Sequence, residues 1–327
     1  MNNIKYGFQK HLSKEYPSQI IIDLTQFCNL ACIHCPHPIF KKSEHFTGTH
    51  LDVNLHKKLI DDIAQDSNNI CQYIRYTANG ETLLHPNFDE IILYAGKYSN
   101  TRINVTTNGN LLTNSKINIL LEAKVDVIDI SIDAFLEETY SKIRINGKLE
   151  IVKQNIKNLI KKIKETNSQT KIVVSFVNQP KNIQEAESFK KYWEEQGANF
   201  VVIRNLHSSA GSKKNISKKM KDLSQTTFRK PCLYPWERLT LTPDGKLAFC
   251  PADWVHGSHF IDFKTTSIKE AWQSKFMQEL REAHLKNDFR NFSFCENCPD
   301  WVNTKWPEEG TSYMDVMKNL IPNDLLD

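Results

Sequence analysis

The chain is expected to fold as an α/β protein built on a parallel sheet, followed by a small unit of one β-hairpin and one helix. Three observations predict this. Strand-like and helix-like runs alternate six times between Gln19 and about Arg204, a pattern of right-handed β-α crossovers. The alternation stops at a Lys-, Ser- and Asn-rich stretch, Gly211 to Lys230. Four of the eight cysteines lie beyond that break, around a hairpin signal.

Taken in order, residues 1–18 form a polar lead without an apolar signal core. Strands are expected at Gln19–Leu24, Gln72–Ala78, Arg102–Thr107, Val125–Ser131, Thr170–Val177 and Asn199–Arg204, where β-branched residues cluster. Helical periodicity fills the gaps at Asp52–Asp66, Asn87–Tyr98, Ser115–Glu122, Leu136–Ile163 and Ile183–Gln196. These elements define a first domain over residues 19–210, and residues 211–231 read as a linker with little apolar periodicity. In the second domain, 232–305, Leu239–Leu241 and Lys246–Phe249 flank the turn Thr242-Pro243-Asp244-Gly245. Ser267 to Leu285 places Ile268, Ala271, Trp272, Phe276 and Leu280 on one helical face. The tail, 306–327, reads as a short helix and an acidic end.

Composition narrows the function. The chain has 327 residues, 40% hydrophobic and 24% charged, as in ordinary globular proteins. No apolar run approaches the ~20 residues of a membrane span. The net charge of +4 comes from lysines scattered over helical faces, without a basic stripe and interleaved aromatics, so nucleic acid is not an expected partner. Clustered cysteines without an export signal read as metal ligands in a reducing cytoplasm, not as disulfides.

Cys28, Cys32 and Cys35 stand in Cys-Asn-Leu-Ala-Cys-Ile-His-Cys directly after the first strand. Most electron-transfer clusters take four cysteines; three on one loop leave one iron open for a small ligand. This spacing resembles the signature of the radical S-adenosylmethionine (SAM) superfamily. The resemblance implies a partial (β/α)6 barrel, a [4Fe–4S] cluster whose open iron chelates SAM, and cleavage of SAM to a 5′-deoxyadenosyl radical. Barrel chemistry sits at the C-terminal strand ends, where this loop lies.

Further segments extend the resemblance. Asn79-Gly80-Glu81-Thr82 after strand two is similar to the family's Gly-Gly-Glu-Pro segment, which binds the SAM amino group; Asn79 and Thr82 depart from it. Thr107-Asn108-Gly109 resembles the Thr-Asn-Gly turn, although a plain strand-to-helix turn would look the same. Ser131, Asp133 and Arg144 resemble a pattern whose serine and arginine approach the SAM carboxylate and ribose; Asp133 could instead cap the following helix. His34 occupies a position that packs near adenine in relatives. The family's glycine-rich segment after strand five has no counterpart in Lys171 to Val177.

Cys232, Cys250, Cys295 and Cys298 are spaced C-x17-C-x44-C-x2-C. Tetrahedral zinc would accept such a set. With the first motif upstream, the set resembles the Twitch form of the SPASM domain, which implies one auxiliary [4Fe–4S] cluster and two clusters in all. Cys71 precedes strand two, far from Glu81 at its other end, and reads as a buried small hydrophobe.

The architecture resembles that of deoxy-scyllo-inosamine dehydrogenases. That likeness implies oxidation of a secondary alcohol in a sugar, cyclitol or nucleotide sugar to a ketone, with the second electron passing to the auxiliary cluster. Arg204 and His207, after strand six, are the candidates for handling the hydroxyl proton. A small-molecule substrate and an electron donor such as flavodoxin or ferredoxin are the expected partners. Radical SAM epimerases and peptide-modifying enzymes are the alternatives; only 18 residues before strand one weigh against a peptide-binding domain.

Overall fold

A computed structural model describes residues 6–8, 11–224, 228–307 and 313–321. Among the described residues nine strands form one sheet: β1 (Gln19–Ile22), β2 (Tyr73–Tyr76), β3 (Arg102–Thr107), β4 (Val127–Ser131), β5 (Lys171–Asn178), β6 (Phe200–Asn205), β7 (Arg238–Leu241), β8 (Lys246–Ala248) and β9 (His259–Asp262). Their order is β6-β5-β4-β3-β2-β1-β7-β8-β9. β1 to β6 pair in parallel, as a partial barrel requires, and the hairpin strands β7, β8 and β9 pair antiparallel. The hairpin is not detached: β7 runs parallel to β1, Gln19 opposite Arg238 and Ile22 opposite Leu241.

Side chains alternate along each strand. Ile20, Ile22, Ile74, Val105, Ile128 and Val174 point outward into the main core, beneath helices Val53–Asp66, Phe88–Tyr98, Asn114–Glu122, Leu149–Thr166 and Ala186–Gln196. Caps start two of these helices: Asp52 accepts from Leu55 N–H and Thr113 from Lys116 N–H. On the inward face Tyr73, Val127 and Val173 pack with Met317 and Leu320 of the C-terminal helix Tyr313–Leu320. These positions lie at the N-terminal ends of the strands, so this helix closes the barrel floor.

The structure corrects several expected elements. Leu136–Ile163 is two helices, Glu137–Ile143 and Leu149–Thr166. Asn146 with φ +74° breaks it, and a Cβ on Gly147 would meet the Tyr140 hydroxyl at 2.7 Å. Ser267–Leu285 divides at Ser274, whose hydroxyl caps the second piece, Lys275–Lys286. The stretch read as a linker contains a helix, Lys214–Ser224, on which Ser217 and Met220 are buried. β9 and a short helix, His37–Phe40, were not foreseen. Cys71 is buried in the main core beside β2, with its thiol toward Tyr73 O at 3.7 Å.

Met317→Ala removes a buried side chain from the barrel floor. It should lower stability by about 2–5 kcal/mol in anaerobic denaturant unfolding. A change within about 0.5 kcal/mol, as at an exposed position, would mean that the helix does not fill the floor.

Candidate functional site

The three-cysteine loop leaves β1 at its C-terminal end and turns at Ile33–His34, where Cys35 N–H donates to Cys32 O at 3.1 Å. Ala31 N–H donates to Ile145 O and Ile33 N–H to Ile143 O, both at 3.0 Å. Lys213 Nζ donates to Ile33 O at 2.7 Å. Burial, with Glu81 nearby, raises the Cys28 thiol to about 12; burial and Cys32 do the same for Cys35. Cys32 is raised by burial and eased by a hydrogen bond from Arg144. Three crowded thiols that resist ionisation suit a cationic centre that compensates their charge.

The glycine before Glu81 is dictated by packing. A Cβ on Gly80 would sit 1.9 Å from Thr25 O. That closeness lets Glu81 N–H donate to Phe27 O at 2.8 Å, docking strand two's end on the cysteine loop. The buried Glu81 carboxylate accepts from Thr107 Oγ1 at 2.6 Å, Asn108 N at 2.8 Å and Leu83 N at 3.3 Å. Burial raises its pKa despite these bonds. A carboxylate offers about four lone-pair sites, so roughly one remains for a ligand. Asn108 Nδ2 reaches Asn29 Oδ1, between Cys28 and Cys32, at 2.8 Å. Thus Thr107 and Asn108 form a support that ties Glu81 to the loop, beyond a plain turn.

Asp133 is wholly buried, with φ +65°. Its Oδ2 pairs with Arg144 Nη2 at 2.6 Å and Nε at 2.8 Å, and its Oδ1 accepts from Val177 N at 2.7 Å. It does not cap the following helix, whose N-cap is Leu136. His34 Nε2 lies 3.5 Å from the same carboxylate. Burial depresses the His34 pKa to about 4, so the ring is neutral and the contact is not an ion pair. Ser131 ends β4 half-buried, one register step from these groups.

Arg204 and His207 stand apart from this group. Both line a cavity of about 430 Å³ together with Cys232, Cys250, Cys295 and Cys298. Four thiols around one cavity suit a cluster, and the space is many times the ~30 Å³ of a water molecule. Burial raises all four thiols, and neighbouring thiols add to this at Cys250, Cys295 and Cys298. Arg204 Nη2 donates to Asp129 Oδ2 at 2.9 Å and to Ser175 Oγ at 3.2 Å. His207 Nδ1 accepts from Ser209 N at 3.2 Å, and burial lowers its pKa.

Sequence reasoning missed three groups. Arg75, Asn104 and Asp129 form a polar ladder on the inward face, with Arg75 Nε to Asn104 Oδ1 at 3.1 Å and Arg75 Nη2 to Asp129 Oδ2 at 3.3 Å. Their signal was present: each is a polar residue inside an apolar strand. Asp300 accepts from Ser208 N and Ala210 N at 2.7 Å each, locking the loop after β6 beside Cys298. Arg229 donates to Cys295 O at 2.6 Å and lies against the Phe289 ring. Nothing local in the sequence marks these last two.

Comparison with known proteins fixes the class. Residues 22–187 match the radical SAM superfamily, and residues 232–299 match the SPASM iron–sulfur cluster-binding domain. The chain belongs to the radical SAM superfamily. Its cofactors are accordingly SAM and a [4Fe–4S] cluster, with an auxiliary iron–sulfur cluster in the second domain.

Among curated relatives, a probable GTP 3′,8-cyclase of Methanothermobacter marburgensis is 23% identical over 304 residues, 81% of this chain and 92% of that protein. A tungsten-containing aldehyde ferredoxin oxidoreductase cofactor-modifying protein of Pyrococcus furiosus is 25% identical over 57% of this chain and 51% of that one. The chain spans about half of that relative's length, and smaller shares of an AdoMet-dependent heme synthase of Methanosarcina barkeri (34%) and a GTP 3′,8-cyclase of Chlorobaculum tepidum (40%). The fold is shared with BtrN crystallised with AdoMet and 2-DOIA, at 18% identity and TM-score 0.59, covering 90% of this chain and 96% of that one. It is shared also with anSMEcpe bound to AdoMet, at 15% identity and TM-score 0.63, covering 93% and 94%.

Removing Arg144 would strand a buried Asp133 charge, at a cost of about 3–5 kcal/mol. Ser131→Ala and Glu81→Gln are therefore the cleaner tests. Each should weaken SAM binding by about tenfold or more, the ~1.4 kcal/mol scale of one polar contact, with iron content unchanged. Calorimetry on reconstituted protein measures it. Unchanged affinity in both would remove these residues from the SAM site.

Proposed function

We propose that the protein oxidises a secondary alcohol of a sugar, cyclitol or nucleotide sugar to a ketone, in the cytoplasm, with flavodoxin or ferredoxin as electron donor. The observation that carries this reading is the shared cavity: the four auxiliary cysteines and the side chains after β6 face one space. A substrate there would lie against the auxiliary centre. Once bound, SAM and the two clusters supply one-electron reduction, removal of a hydrogen atom from the substrate carbon, and a sink for the second electron.

The chain's own residues do the rest. Arg204, held by Asp129, carries only hydrogen-bond donors; its part is to orient the alcohol oxygen. His207 is kept neutral by burial. It takes the hydroxyl proton at Nδ1 on releasing Ser209 N–H, a bond at the long end of the usual range at 3.2 Å. The alcohol thus loses one hydrogen atom, one proton and one electron. The likeness to BtrN supports the reading at the level of fold.

Turnover in deuterium oxide separates oxidation from epimerisation. The account expects a carbonyl product lighter than the substrate by two hydrogens, with no deuterium at the reacting carbon. A product of unchanged connectivity carrying one solvent deuterium, read by mass spectrometry, would favour an epimerase. A modified peptide as the only product would favour the peptide-modifying alternative.

A further inference from the structure

The hairpin that carries Cys250 holds a second set of donors, none of which lines the cavity of the four cysteines. Asp244 lies in the β7–β8 turn, His256 in the loop after Cys250, and His259 at the start of β9. One carboxylate oxygen and one nitrogen from each ring lie within 4.8 Å of one another. Asp244 Oδ2 is 3.8 Å from His259 Nδ1, too far for a hydrogen bond. The other oxygen, Oδ1, accepts from Thr242 Oγ1 at 2.6 Å, which fixes the carboxylate's direction. Such an outer hydrogen bond is what orients a metal ligand.

The two imidazoles stack at 4.3 Å with 19° between planes. Both are half-buried, and neither has a hydrogen-bond partner among the described residues. His256 is held at φ +57°, an uncommon conformation for a non-glycine residue. The ring centroid of a third histidine, His45, lies 4.9 Å from that of His256, on the segment that follows the three-cysteine loop; its nitrogens lie outside the converging group, so its ring must turn to join it. Two half-buried imidazoles without hydrogen-bond partners among the described residues converge on a carboxylate whose direction is fixed.

We propose that Asp244, His256 and His259 bind one divalent transition-metal ion of the zinc type, with His45 as fourth ligand. Two imidazoles and a carboxylate suit zinc and its neighbours, whereas calcium and magnesium take oxygen alone. With bonds of ~2.0–2.2 Å, tetrahedral ligand atoms stand ~3.3–3.6 Å apart, so a pair near the 4.8 Å limit closes by about an ångström through side-chain rotation. Four protein ligands leave no open position, which makes the site structural. The ion would clasp the segment after the SAM-cluster loop to the hairpin that bears an auxiliary ligand. The site is independent of the reaction proposed above.

The test uses anaerobically reconstituted holoprotein given zinc chloride and desalted, with metals counted by mass spectrometry. One zinc per chain should be retained in addition to the full iron complement. Zinc X-ray absorption should show only nitrogen and oxygen ligands at ~2.0–2.1 Å, without the ~2.3 Å sulfur shell of a cysteine site. His259→Gln and, separately, Asp244→Asn should lower zinc affinity at least tenfold with iron unchanged; iron retention reports that each variant folds. His45→Gln should weaken binding without abolishing it. No retained zinc, a sulfur shell, or equal retention in the His259 and Asp244 variants would overturn the site. Equal affinity in His45→Gln would overturn the fourth ligand.

Discussion

β1 is hydrogen-bonded in parallel along both edges, to β2 on one side and β7 on the other. This double pairing brings the two cysteine sets to one place. Register fixes Ile22 between Tyr76 and Leu241. Past that level Asp23 N–H donates to Leu241 O and Thr77 N–H to Ile22 O, so the ladder continues into the loops. The cysteine loop, the Glu81 segment and the hairpin therefore emerge side by side. Asn79 Nδ2 then bridges to Asp253 O at 2.8 Å, in the loop after Cys250. A slip of one residue would send every side chain of β1 to the wrong face.

Above this frame, buried charges hold the site. Asp133 gathers donors from Arg144 and Val177, Glu81 from Thr107, Asn108 and Leu83, and Asp23 receives the N–H groups of Asn79 and Gly80. Burial raises the Asp23 pKa to about 7 even so. Burying such groups is costly and is tolerated when they are fully paired. These bonds tie the end of β2, the turn after β3 and the segment around Asp133 to the three-cysteine loop and its neighbours. Asp129 plays the same part deeper in the barrel, joining β2, β5 and β6 through Arg75, Ser175 and Arg204.

Much of this was legible in the sequence. The six parallel strands read correctly because β-branched runs alternate with helical periodicity, and both cysteine sets declared themselves by spacing. What failed has physical causes. The break at Arg144 rests on a single left-handed Asn146, in a run whose helical period continues on either side. The helix at Lys214–Ser224 carries few apolar residues, so composition hid it, along with the reach of Lys213 to the cysteine loop. The pairing of β7 with β1 joins residues more than two hundred positions apart, and no local pattern encodes it. The cap reading of Asp133 fails because its partners, Arg144 and Val177 N, meet only in the folded chain.

The central claim is that one sheet carries two distinct cluster sites, of which only the β1 loop keeps a position open to SAM. Electron paramagnetic resonance of the dithionite-reduced holoprotein, with and without SAM, tests it most directly. The account predicts two reduced [4Fe–4S] signals, one shifted by SAM and the other unchanged. A single signal, or two that both shift on adding SAM, would contradict it.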